Sequence, residues 1–174
     1  MSQPELGAYV QTHLRDKGIP VVLSGGAVVA YYTEGKYLSA DLDFVNQYGR
    51  ARSEIAAAME ELGFKEAGRH FIHPDTEYFI EFPPGPLAIG EAHDIEIVER
   101  DFDTGTLVLI SPTDSVKDRL AWYYHAGDRQ SLYHALLIST RQPVDLESIE
   151  EWSRKEGKLV EFDEFKRRYE EERE

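Results

Sequence analysis

The chain has 174 residues, 33 acidic and 19 basic side chains, a formal net charge of −14 and no cysteine. That length and a 41% hydrophobic content suit one buried domain with a helical annex, and the missing cysteines exclude disulfides, thiolate zinc sites and cysteine nucleophiles. The acidic balance disfavours an extended nucleic-acid footprint. The absence of a bilayer-length apolar run or a signal-peptide pattern predicts no membrane role and a cytoplasmic location.

Along the chain, Leu6, Tyr9, Val10 and Leu14 recur at helical spacing, which predicts a helix over residues 5–17 ended by Gly18. Pro20-Val21-Val22-Leu23 reads as a buried strand and residues 27–32 as a short helix. A strand follows over 41–45, then an amphipathic helix over 52–62 stopped by Gly63. Residues 64–73 read as a hairpin turning near Gly68, and 77–82 as a strand closed by Pro83-Pro84-Gly85-Pro86. Two later strands, 95–98 and 106–110, turn around Asp103-Thr104-Gly105. At Ser111-Pro112-Thr113-Asp114 the sequence resembles a capping box. Helices are predicted at 113–125, 128–139, 145–156 and 162–172, with Asp128, Asp145 and Asp163 as caps. The layout is an α+β (α/β) domain, 1–110, followed by a helical region, 111–174.

The chemistry-bearing residues start at Ser24-Gly25-Gly26, where an apolar run breaks at a glycine pair. Backbone N–H groups of such a turn can approach phosphate closely. Asp41 and Asp43 are one residue apart in a strand, so both carboxylates share a face. Two like charges there call for a divalent cation, and hard ions such as magnesium take oxygen ligands. A third acid, Glu81, is the lone charge in Tyr78-Phe79-Ile80-Glu81-Phe82. Bland alternatives stand beside each: a solvated strand end for the aspartates, and the solvent face of an edge strand for Glu81.

Other positions are weaker. Lys117, Arg119 and Arg129 lie on predicted helices, and each reads more readily as part of a solvated helix face than as a phosphate contact, with Lys117 the first choice for the latter. His70, His73 and Asp75 have metal-like spacing but lack a fourth ligand and are broken by Pro74. Asp94 and Glu96, after His93, alternate with Ile95 and Ile97 as in a half-exposed strand, with Glu96 the fallback for the third carboxylate. Leu120 with Trp122-Tyr123-Tyr124 reads as helix core.

Ser24-Gly25-Gly26, a helix, Asp41-Leu42-Asp43-Phe44 and strand-borne Glu81 together resemble the nucleotidyltransferase fold of the DNA polymerase β superfamily. More narrowly they are similar to small bacterial nucleotidyltransferase-like proteins, which include toxin components of toxin–antitoxin systems. The resemblance implies a mixed sheet flanked by helices and a helical C-terminal part. It implies that Ser24, Gly25 and Gly26 bind the triphosphate of a nucleoside triphosphate, and that Lys117 reaches it from a later helix. Asp41, Asp43 and Glu81 would hold magnesium or manganese, with Glu81 helping to deprotonate the attacking hydroxyl. The implied reaction moves a nucleoside monophosphate to a protein, tRNA or small-molecule hydroxyl, with a cognate antitoxin or other protein as a partner. A catalytically inactive nucleotide-binding or protein-interaction module would keep the same residues in the same fold.

Overall fold

A computed structural model describes residues 1–173. Its elements follow the apolar patterning closely. In chain order they are α1 (Gln3–Asp16), β1 (Val22–Ser24), α2 (Gly26–Tyr32), β2 (Asp41–Val45), α3 (Arg52–Glu61), β3 (Lys65–Ala67), β4 (His70–His73) and β5 (Thr76–Glu81). There follow β6 (Ile97–Phe102), β7 (Gly105–Ile110), α4 (Pro112–Ala126), α5 (Arg129–Arg141), α6 (Leu146–Lys155) and α7 (Leu159–Glu172). Two compact units form: Met1–Val28, Leu38–Leu87 and Ile97–Ile110 make one, and Val29–Tyr37, Ala88–Glu96 and Ser111–Glu174 the other.

The first unit is built on a seven-stranded mixed sheet in the order β3-β4-β5-β2-β1-β7-β6. β1 runs antiparallel to β2 and parallel to β7, while β2 runs parallel to β5. Strand alternation sends Leu23, Leu42, Phe44, Ile80, Leu107 and Leu109 to one buried face. α1 lies on that face through Leu6, Val10 and Leu14. Its Gly7 permits the approach, because a Cβ there would stand 2.8 Å from Leu107 Cδ1. Gln11, also buried, donates to the carbonyls of Val21 and Val108 at 3.1 and 2.8 Å and accepts from Val108 N–H at 3.0 Å. That amide satisfies backbone groups where β7 meets the lead-in to β1, where an unpaired group would cost about 1–3 kcal/mol.

The second unit is helical. Ser111 caps α4 by accepting from Asp114 N–H, but Asp114 does not close a reciprocal box. Its buried carboxylate accepts instead from the Glu96 N–H at 2.7 Å, and the Ser111 N–H bonds Glu96 O. With both backbone groups of Glu96 so used, β6 begins at Ile97 rather than at 95. Asp128 and Asp145 cap α5 and α6 as their sequences predict. Asp163 does not cap α7, which starts a turn earlier behind Lys158. Val116, Leu120, Tyr123 and Tyr124 recur at helical spacing and are buried, but Trp122 points away and is 54% exposed, so it is not core. Tyr124 stacks on Trp152, whose indole N–H donates to Ile89 O at 3.2 Å.

Among the described residues, no helix is long and apolar enough to cross a membrane.

Candidate active site

The face of the sheet opposite Leu42 and Phe44 carries a row of polar side chains, set by register. Ser24 on β1 pairs with Asp43 on β2, Asp43 with Glu81 on β5, and Glu81 with His70 on β4. Asp41 shares this face two residues along β2. All five are half-buried. β5 is not an edge strand: it lies between β4 and β2, so Glu81 sits well inside the sheet.

Each end of the row is fixed locally. Gln3, buried on α1, donates to Ser39 O at 3.1 Å and to Asp41 O at 3.0 Å, which pins the entry to β2. Ser39 Oγ reaches Asp41 Oδ1 at 3.3 Å. After Ser24 the chain turns through Gly25 at φ +71, a left-handed conformation that favours glycine. A Cβ at Gly25 would stand 2.6 Å from Asp43 Oδ2, so the turn and the carboxylate fit only without a side chain.

His70 is the residue that the sequence alone did not assign to this site. The β4–β5 ladder starts with His73 opposite Thr76, and a register shift between Phe71 and His73 then brings His70 opposite Glu81. His70 Nε2 stands 3.5 Å from Glu81 Oε2, and Arg69 Nε 3.5 Å from Glu81 Oε1. His73 and Asp75 stay apart from the row: His73 packs on Phe64 and accepts from Asp75 N–H.

The remaining candidates belong to the helical unit. Lys117 Nζ donates to Ser148 Oγ at 2.9 Å and lies 3.6 Å from Asp114. Arg119 pairs with Asp118, and Arg129 with Glu164, whose carboxyl is held below its ordinary range by hydrogen bonds from Tyr123 and then Arg129. Glu96 is exposed and His93 and Asp94 precede it in an irregular segment.

The acidic row suits a divalent cation. One donor atom each from Asp41, His70 and Glu81 lies within 4.8 Å of the others. Donors sharing an ion at bonds of about 2.1 Å stand up to about 4.2 Å apart, so small side-chain rotations close that set. Asp43, next in the row, places a further carboxylate between Glu81 and the Gly25 turn. The arrangement can hold a cation beside the Gly25 turn.

No protein-family model and no curated protein matches the sequence. Two solved structures resemble the chain in fold. The crystal structure of ANT(2'')-Ia in complex with adenylyl-2''-tobramycin is 18% identical, with a TM-score of 0.57 over 97% of this chain and 99% of that one. The solution structure of the antibiotic-resistance factor ANT(2'')-Ia is 16% identical, with a TM-score of 0.55 over 92% and 89%. The chain shares the fold of these two structures. The row Ser24, Asp43, Glu81 and His70 lies across strands β1, β2, β5 and β4, which are adjacent within the sheet.

Proposed function

We propose that the chain is a metal-dependent nucleotidyltransferase, moving a nucleoside monophosphate from a nucleoside triphosphate to a hydroxyl acceptor. The observation that carries this reading is the convergence of Asp41, Asp43 and Glu81 on one sheet face beside the Gly25 turn. A magnesium or manganese ion bound there would neutralise charge on the entering and leaving oxygens of an in-line displacement that releases pyrophosphate. Asp41, Asp43 and Glu81 would hold it. The Ser24 hydroxyl and the Gly25 and Gly26 amides would bind the β- and γ-phosphates, and Glu81 would orient the acceptor hydroxyl or take its proton. Lys117, which donates to Ser148 Oγ, would contribute to triphosphate binding. In this reading residues 1–110 carry the chemistry, residues 111–174 form the helical half, and the protein works in the cytoplasm.

For the acceptor, we favour a cationic aminosugar. ANT(2'')-Ia carries adenylyl-2''-tobramycin, and a net charge of −14 attracts a polycation while repelling tRNA. A protein hydroxyl, the acceptor of a toxin–antitoxin role, has no comparable electrostatic support. Thermal unfolding with each nucleoside triphosphate and magnesium or manganese tests the first step. A nucleotide-dependent rise in Tm is expected, and no rise with any nucleotide contradicts the reading. Binding without transfer to any acceptor would make the chain a nucleotide-binding module instead.

A further inference from the structure

Position 70 supplies a donor that the carboxylates cannot. Asp41 and Glu81 offer hard oxygens, whereas the His70 imidazole is a borderline nitrogen donor preferred by first-row transition ions. Magnesium, by contrast, takes oxygen ligands and gives up its waters reluctantly. His70 is no free surface histidine. The register shift in β4 sets it opposite Glu81, its ring lies 5.8 Å from that of Phe79, and its Nε2 faces Glu81 Oε2. Arg69, which shares Glu81, is 80% exposed and can swing into solvent as a cation enters.

Resting on the metal-assisted reading above, we infer that His70 binds the catalytic cation directly through Nε2, with Asp41 and Glu81, and biases the site toward a divalent first-row transition ion over magnesium. His70 is thus a ligand, and Glu81 meets the ion as part of a mixed nitrogen–oxygen set. A purely carboxylate site would show a weaker bias.

Manganese added to the metal-free full-length chain, followed by pulsed EPR, tests this directly. Nitrogen modulation from a coordinated imidazole is expected in the wild type and in His73→Ala, and is expected to vanish in His70→Ala and His70→Asn. The manganese Kd should rise about tenfold or more in both His70 variants, with the magnesium Kd changing by less than about threefold. His70→Asn keeps a polar group at the position, so it decides the matter if His70→Ala misfolds. Manganese bound to the wild type without nitrogen modulation, or modulation that survives both His70 substitutions, overturns the ligand role and leaves the nucleotidyltransferase reading standing. Failure of manganese to bind the wild type, with or without a nucleoside triphosphate, overturns both.

Discussion

Gly25 and Asp43 are fitted to one another: the backbone at 25 is left-handed, and any Cβ there would meet Asp43 Oδ2 at 2.6 Å. The glycine therefore answers two demands, one conformational and one steric. Gly25→Ala should destabilise the protein by about 1–2 kcal/mol from backbone strain alone, with the contact adding to it. Adding Asp43→Ala should recover the contact part and leave the strain. Urea unfolding of the two single variants and the double variant checks this, and strict additivity would contradict the steric half.

Asp41 tells activity from stability. Its carboxylate is half-buried and accepts from the Ser39 hydroxyl, a contact that an amide oxygen preserves. Asp41→Asn is expected to change stability by no more than about 0.5 kcal/mol while lowering kcat at least about 100-fold. Calorimetry and a transfer assay on the same preparation measure both. A parallel loss of stability and activity would make Asp41 a structural residue.

Lys117 has a structural partner already, in Ser148. If it also contacts the triphosphate, Lys117→Met should raise the KM for the nucleotide about tenfold, the scale of one charge-assisted hydrogen bond. Ser148→Ala should leave that KM unchanged. Equal effects of the two substitutions on KM would confine Lys117 to holding α4 against α6.

His134 is buried against Tyr37, and among the described residues its Nδ1 has no hydrogen-bond partner. Burial first, and then the Arg119 charge, hold its pKa below 6.5, against a smaller opposing pull from Asp128. The unfolded chain therefore binds a proton that the folded chain refuses, so this contribution to stability falls as pH drops through 6.5 toward the depressed folded value. His134→Phe removes both the unbonded nitrogen and this pH dependence. Urea unfolding at pH 5.5 and 7.5 should show a steeper loss at acid pH in the wild type than in the variant. Parallel slopes would contradict the assignment.

Much of this architecture is legible in the sequence because its signals are local. Ser111, Asp128 and Asp145 act through hydrogen bonds within three residues, and Asp41 and Asp43 share a face by strand geometry alone. Glu81 was readable as a lone acid in an apolar strand, but not that β5 would pair with β2 and place it opposite Asp43. His70 was hidden for a related reason. Its partnership depends on the register shift in β4, and continuing the His73–Thr76 register would have set it against Phe79 instead. Trp122 stays out of the core because three aromatics in a row cannot all face one side of a helix. The start of α7 leaves no signal in the sequence, because Lys158 stands at its N-cap without a side-chain hydrogen bond.

The central claim, that Asp41, Asp43 and Glu81 form one nucleotidyl-transfer site, is tested most directly by single-turnover transfer from an α-labelled nucleoside triphosphate to an aminosugar acceptor. The wild type should move label in a metal-dependent reaction and release pyrophosphate, while Asp41→Asn, Asp43→Asn and Glu81→Gln should each fall at least about 100-fold with folding intact. Transfer that persists in folded Asp43→Asn, or that proceeds unchanged in excess chelator, would contradict it.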